Sequence, residues 1–367
     1  MFGGITQAGT KTLGGDRFTL VNLMPAVILV GFVSFLAATG LYTDAPADIR
    51  GLPEAVTRNA GVAVIAVFGV FVLAFLLRPF QVALVWVLEG YWNRWPSLDE
   101  LTAWAVEWHR RRLHTATVEY EADTTVPSPE PLFRNVVDAE RMRRKAKVRR
   151  AHALRVVSQY PVERVRYGRD GEAESDDRLM PTMLGNVLRE GEDTAGDRYG
   201  LDLPAIAPRL HPYINEKLGA SITRNLDLIE AGAALCVAFA LAALASTPLL
   251  ARPDAWLVTP LIMMLLSLVS YRGTLRIARG HGRLLATAVD LHRFDMVAAL
   301  RYELPTSPHE EARFNRALST FLAGREPVTA ATMRRYPYHH SDGPAPAQQP
   351  QPQPASSAGD SAAESGG

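Results

Sequence analysis

Long uncharged stretches alternate along this chain with segments rich in arginine and glutamate. A helix needs roughly 20 mostly apolar residues to cross the hydrocarbon of a bilayer. Every backbone polar group in lipid must be satisfied within the segment, which favours helices. Four windows have this length and composition, and we predict membrane-spanning helices over residues 20–42, 61–78, 231–251 and 255–271.

The overall composition averages over two very different kinds of segment. Of the 367 residues, 48% are hydrophobic and 21% are charged, and the formal net charge is +1. So small a net charge predicts no global attraction to nucleic acid or to acidic partners. Cys236 is the one cysteine, so the sequence contains no intramolecular disulfide and no multi-cysteine metal site. We interpret it as a small packing residue.

Basic residues beside the predicted spans indicate how the chain is oriented. The arginines that follow the fourth window directly are Arg272, Arg276, Arg279 and Arg283. The positive-inside rule therefore places residues 1–19, the middle region 79–229 and the segment 272–325 in the cytoplasm. We expect a multi-pass protein of the inner cell membrane, with two helical hairpins and with both termini cytoplasmic.

An Arg-Pro pair, Arg78 and Pro79, interrupts the second apolar run. An arginine at the end of a span extends its side chain to the interface, and proline cannot donate the next helical hydrogen bond. We therefore predict that the span ends here and that an interfacial helix follows, with Trp86, Tyr91 and Trp92 in the headgroup zone. The alternative is one kinked span with Arg78 buried, but no window contains an acid to pair with it.

The string "PSLDELTAWAVEWHRRRL" predicts a cytoplasmic helix. Ser97 and Glu100 have the spacing of a capping box. One face carries Leu101, Trp104, Ala105 and Trp108. We expect this stripe to pack against the bundle or the membrane surface, and a groove for a partner is the alternative.

A run of basic residues follows three prolines in the middle region. Its members are Arg141, Arg143, Arg144, Lys145, Lys147, Arg149 and Arg150. Three interpretations stay open: a solvated helix face, contact with anionic lipid of the inner leaflet, and binding of nucleic acid. Nucleic acid is the least favoured, because no aromatic residues are interleaved with the basic ones.

Residues 179–218 are punctuated by glycine and proline and carry a cluster of charges. The cluster consists of Glu190, Glu192, Asp193, Asp197, Arg198 and Arg209. Carboxylates in a loop can bind a hard cation, but the string "EGEDTAGD" fails the spacing of a calcium loop. We therefore predict salt-bridged loop residues.

The string "MPTMLGNVLREGEDTAGDRYGLDLPAIAPRLHP", residues 180–212, resembles the most recognisable segment of a group of uncharacterised bacterial integral membrane proteins, in actinobacteria and some cyanobacteria. The strings "LLRPFQVALVWVLEGYW" and "ATAVDLHRFDMVAALRYELP" are similar in character to the same group. The resemblance covers about residues 20–325. It implies two spans, a cytoplasmic middle, two more spans and a helical end. The group has no established activity, so the resemblance transfers no catalytic residue.

These patterns predict an all-α, four-span membrane protein with an α-helical cytoplasmic domain and a disordered tail over 326–367. The sequence has no nucleophile elbow, phosphate-binding loop or zinc motif, and we expect no cofactor. We expect a non-enzymatic protein whose cytoplasmic domain docks a protein partner or forms a homo-oligomer. The alternatives are a subunit of a transporter or channel, and a membrane-interface enzyme that uses the acids of residues 190–202.

Overall fold

The computed structural model describes residues 23–43, 60–122, 136–161, 164–167, 173–176, 178–252 and 254–324. The predicted cytoplasmic segment 1–19 and the predicted disordered tail 326–367 lie outside the described residues. Both therefore stay predictions.

Helices make up nearly all of the regular structure in the described ranges. In chain order they are α1 (Met24–Ala38), α2 (Ala60–Glu89), α3 (Asp99–Glu121), α4 (Val136–Val157), α5 (Met183–Asp197), α6 (Leu203–Leu210), α7 (Glu216–Ala245), α8 (Thr259–Ala299) and α9 (Pro308–Leu322). Two four-residue strands, β1 (Arg164–Tyr167) and β2 (Ala173–Asp176), pair as an antiparallel hairpin. The predicted α class is confirmed apart from this hairpin, which the sequence pattern did not indicate.

The apolar helices pack against one another. Helix α1 contacts α2 and α7, and α7 forms a hairpin with α8 through the 3-10 turns Thr247–Ala251 and Ala255–Val258. Two helical stretches, Glu216–Ala245 and Ala255–Ala299, are long and apolar enough to cross a membrane. Helix α1 and the segment Val67–Leu76 of α2 are shorter apolar helices. The set of four spans therefore stays a prediction.

Helix α2 runs without interruption from Ala60 to Glu89 and passes through Arg78 and Pro79. The helix has no break at this pair, so the prediction of a separate interfacial helix is wrong, and Trp86 belongs to the last turns of the same helix. Where the span ends stays a prediction. A proline removes one backbone hydrogen bond, while the many bonds on both sides of it keep the long helix intact.

The polar domain is built on the continuation of the apolar hairpin. Helix α8 has 41 residues and continues through the arginines that follow the fourth apolar window. Helices α5, α6 and α9 pack around its second half. The core that they form includes Ile206, Val289, Met296, Phe314 and Leu318. Helix α8 thus extends from the apolar hairpin directly into the scaffold of the polar domain.

Helix α5 replaces the predicted loop around residues 183–197, and its glycines serve close packing. A Cβ atom on Gly191 would lie 2.8 Å from the Cα atom of Gly282 in α8. A Cβ atom on Gly185 would lie 2.1 Å from the backbone oxygen of Glu89. The Thr182 side chain caps the helix by accepting a hydrogen bond from the Gly185 backbone. The glycine-rich composition therefore reflects helix crossings, because only a residue without Cβ fits there.

Helices α3 and α4 form a second hairpin that contains a buried histidine. Helix α3 begins at Asp99 without a side-chain cap, so the predicted capping box of Ser97 and Glu100 is wrong. The Nδ1 atom of His109 lies 2.9 Å from the hydroxyl of Tyr160, and both residues are buried. Burial, together with Arg112, lowers the pKa of His109 to about 4, although a hydrogen bond with the Pro181 backbone opposes the shift.

We expect this histidine to make the fold sensitive to acid. Its pKa is about 4 in the folded protein and 6.5 in the reference state, so the unfolded chain binds more protons between these values. The contribution of His109 to the free energy of unfolding should therefore be constant above about pH 6.5 and fall by about 2 kcal/mol as the pH drops to 4, whereas Glu89, whose pKa is raised to about 7, changes stability in the opposite direction. The difference in thermal unfolding midpoint between the unmodified protein and a His109 variant, measured across this range, should show the decrease.

The matched pair for this measurement lies on α3. The variant His109→Phe should lose this contribution to the pH dependence, whereas His114→Phe should keep it because His114 is exposed on the same helix. Equal pH profiles for the His109→Phe variant and the unmodified protein would contradict the assignment.

Candidate functional site at the end of helix α2

A cleft of about 230 Å³ opens where the end of α2 meets α5, α7 and α8. Its ionisable lining residues are Glu89, Tyr91, Arg189, Glu192, Glu230 and His281. Its apolar walls include Val82, Val85, Leu226, Ile229 and Leu285. The cleft therefore joins several carboxyl groups to a largely apolar enclosure.

Two of the carboxyl groups influence each other. Burial, together with the neighbouring Glu192, raises the pKa of Glu89 to about 7, and Arg189 opposes the shift. Burial also raises the pKa of Glu192, with Arg178 opposing. A proton or another cation in the cleft would therefore relieve an unfavourable concentration of negative charge.

His281 is the most deeply enclosed polar side chain of the cleft. It is 6% exposed, and its Nδ1 atom has no hydrogen-bond partner among the described residues. Burial lowers its pKa, which favours the neutral imidazole. A neutral imidazole has one nitrogen that accepts a hydrogen bond and one that donates.

The aromatic residues predicted for the membrane interface lie in or near this cleft. Trp86 and Tyr91 line it, and the Trp92 indole donates a hydrogen bond of 2.7 Å to the Val87 carbonyl. The Arg94 guanidinium lies 4.1 Å from the Trp86 ring centroid. These contacts fix the end of α2 and the chain that leaves it. The side chain of Arg78 lies outside the described residues, so its boundary role stays a prediction.

The structure disperses the predicted charge cluster. Glu192 lines the cleft, and Asp193 instead forms an ion pair of 3.0 Å with Arg178. Glu190 accepts a hydrogen bond from Thr194, and Arg209 donates one of 2.7 Å to the Ala205 carbonyl. Asp197 and Arg198 are exposed. The prediction of a loop is wrong, because most of these residues belong to helix α5. The ion pair of Asp193 uses Arg178, which lies outside the predicted cluster.

The sequence pattern missed most of the residues that meet in the cleft. Glu89 is the first acid after a long apolar run in which Arg78 is the one charged residue, and this is a recognisable signal for a carboxyl group near an apolar environment. His281 stands between two glycines in the string "RGHGR". Inside a helix this pattern indicates close approach of a neighbouring backbone. No comparable signal singles out Glu230.

The basic run lies on α4, and all of its members are exposed. Arg150 stacks over the Tyr120 ring of α3 at 5.1 Å, and Arg144 pairs with Glu140 at 3.6 Å. The side chains point to several sides of the helix, because consecutive positions are rotated by about 100°. Contact with anionic lipid stays a prediction.

Of the predicted stripe of α3, Ala105 is buried and the three larger side chains are exposed. Trp104 is 68% exposed, Trp108 is 50% exposed and Leu101 is 47% exposed. The buried side chains of α3 itself are those of Ala105, His109 and Ala116. Packing against the bundle is therefore wrong for Leu101, Trp104 and Trp108, whereas packing of these side chains against the membrane surface stays a prediction.

No group of three or more His, Cys, Asp or Glu within the described residues has a geometry that could hold a metal ion. Comparison of the chain with protein-family models, curated proteins and solved structures found no match. The resemblance to bacterial membrane proteins therefore stays a hypothesis.

Proposed function

We propose that this chain is an integral membrane protein of the inner cell membrane whose cytoplasmic hairpin α3–α4 docks a protein partner. The observation that carries the proposal is the hairpin itself, which leaves two tryptophans and a set of basic side chains exposed beside a group of apolar helices. The proposal includes the predicted orientation, with the hairpin and both termini in the cytoplasm.

Exposed apolar side chains support insertion in a bilayer. The residues that are more than half exposed on α2 and α8 include Val64, Ile65, Phe68, Leu261, Leu265 and Val269. In the most apolar stretch of Ala255–Ala299, 17% of the residues are buried, which is low for the core helix of a water-soluble protein. Removing such a side chain from water stabilises by about 1.5–3 kcal/mol. A large exposed apolar patch of this kind is typical of contact with lipid or protein.

The chemistry of the hairpin indicates the kind of partner. Tryptophan and arginine are enriched in protein interfaces, and the two classes of side chain are exposed on neighbouring helices. The basic residues surround α4 instead of forming one polar face, whereas a helix that lies flat on a membrane has a separate apolar face. A protein surface that combines carboxylates with apolar side chains fits this arrangement best.

The interaction can be tested by crosslinking and affinity recovery from native membranes. We expect a partner or a second copy of the chain to be recovered with the unmodified protein. Recovery should fall at least about tenfold with Trp104→Ala combined with Trp108→Ala, since each interface hot spot contributes about 2 kcal/mol or more. The variant Trp95→Ala is the matched control, because Trp95 is exposed outside the hairpin.

Two outcomes would contradict the proposal. Recovery of monomer alone, or of phospholipid without protein, would exclude protein docking by the hairpin. Release of the chain from membranes by alkaline carbonate without detergent would exclude membrane integration.

No observation on the described residues favours the enzyme alternative. The acids of the predicted cluster do not share one site: Glu192 lines the cleft, Asp193 forms an ion pair with Arg178, and Asp197 is exposed. A transporter subunit stays an alternative hypothesis.

A further inference from the structure

We propose that the cleft at the end of α2 binds a small organic cation, a primary ammonium or guanidinium group on a short apolar chain. The inference is independent of the proposed docking function, because it rests on the side chains that line the cleft and not on the hairpin.

The charge of the lining favours a cation. Two carboxyl groups, those of Glu89 and Glu192, share the cleft with one guanidinium group, that of Arg189, and the negative charge of Glu192 raises the pKa of Glu89. Carboxylates in an enclosed space repel each other and lose solvation. A ligand with several N–H donors would balance this charge and form charge-assisted hydrogen bonds with the carboxylates.

The buried imidazole of His281 supplies an independent indication of a ligand. It is more than nine-tenths buried, it lines the cleft, and its Nδ1 atom has no hydrogen-bond partner among the described residues. A buried polar atom normally has a hydrogen-bond partner, and leaving it without one costs about 1–3 kcal/mol. A ligand N–H group beside the carboxylates would provide that partner.

The walls and size of the cleft limit the class of ligand. Val82, Val85 and Leu285 offer apolar contacts for a short hydrocarbon chain. The volume of about 230 Å³ lies below the roughly 300–1,000 Å³ of most ligand pockets, so the occupant is small. The carboxyl groups do not form a metal-binding geometry with other ligand residues among the described residues, which favours N–H donors over a bare metal ion.

The test uses the purified full chain in detergent at pH 8, where the Glu89 carboxyl is mainly ionised. The probe is n-butylammonium chloride, and n-butanol is the uncharged comparison of nearly equal size. Binding is followed by titration calorimetry and by the fluorescence of the protein, to which Trp86 at the cleft contributes. We expect saturable binding of n-butylammonium and at least about tenfold weaker binding of n-butanol, a difference of about 1.4 kcal/mol.

The variants Glu89→Gln and Glu192→Gln should each weaken n-butylammonium binding at least about tenfold. Glu190→Gln is the matched control, because Glu190 lies on the same helix α5 but does not line the cleft. Thermal unfolding of each variant establishes that it is folded. If one glutamine variant does not fold, the other variant and His281→Phe, which should also weaken binding, keep the test decisive.

Three outcomes would overturn the inference. The first is the absence of n-butylammonium binding up to 10 mM, which corresponds to a binding free energy of about 2.7 kcal/mol. The second is equal binding of n-butanol. The third is undiminished binding of n-butylammonium by the folded glutamine variants. Loss of partner recovery by the hairpin variants would leave this result unchanged, so the two proposals fail separately.

Discussion

Gly282→Ala should destabilise the protein by about 3 kcal/mol, the upper part of the range for overpacked sites. The new Cβ atom would lie 2.7 Å from the Cα atom of Gly191, and the atoms that it meets belong to a helix backbone. A flexible side chain could move aside, but here α5 and α8 would have to separate along their contact. The separation would also displace Arg189 and Glu192, which flank Gly191 and line the cleft.

Gly273→Ala is the matched control on the same helix. A Cβ atom at Gly273 meets nothing within 4 Å, so the alanine should be neutral or stabilise the helix by up to about 1 kcal/mol. Thermal unfolding in detergent, followed by size-exclusion chromatography, measures both variants. Equal unfolding midpoints for the two would show that the glycine crossing does not limit the packing of α5 on α8.

Arg178→Met should destabilise the protein by about 3–5 kcal/mol, the cost of removing one partner from a buried ion pair. A guanidinium nitrogen of Arg178 lies 3.0 Å from the Asp193 carboxylate, with 11% and 2% of the two side chains exposed. Methionine has a similar length but no charge, so the Asp193 carboxylate would stay buried without its guanidinium neighbour. Thermal and denaturant unfolding in detergent measure the loss.

Arg144→Met is the matched control for this effect. Arg144 pairs with Glu140 at 3.6 Å, and both side chains are largely exposed. Exposed pairs contribute about 0–1 kcal/mol, so this variant should unfold almost like the unmodified protein. Adding Asp193→Asn to Arg178→Met should restore part of the lost stability, because it removes the buried charge. A small effect of Arg178→Met alone would mean that Asp193 is stabilised mainly by other contacts.

The glycine crossing and the ion pair together explain how the cleft forms. Gly185 and Gly191 bring α5 close to the end of α2 and to α8, and the ion pair holds the chain before α5 against its inner face. Residues of three distant segments, Glu89, Glu192 and His281, then line one space. Variants that alter the packing of α5 should therefore change ligand binding even when they do not touch the ligand.

Local patterns predicted several elements of the fold. The apolar windows near residues 20–42, 61–78, 231–251 and 255–271 all contain helical residues, and the helix after Pro96 is present. Apolar length and helix-favouring composition act within one segment, so they need no knowledge of the rest of the chain. Which of the windows cross a bilayer stays a prediction, since two of the described helical stretches are long and apolar enough by themselves.

The same local signals failed where distant parts of the chain meet. The glycines of α5 indicate a loop and Pro79 indicates a break after the second apolar window, because sequence spacing does not show what packs against a backbone. The contact between Gly191 and Gly282 and the grouping of Glu89 with Glu192 and His281 depend on how separate helices cross.

The sequence by itself determined that this chain forms long apolar helices followed by charged, helical segments. Only the tertiary structure decided that α5 is a helix, that α2 and α8 continue beyond their apolar parts, and that their ends enclose a cleft. The physical reason is the separation of the interacting residues along the chain. Hydrophobic length and helix propensity depend on neighbouring residues. Steric fit, burial and the pairing of charges arise between residues that lie far apart along the chain.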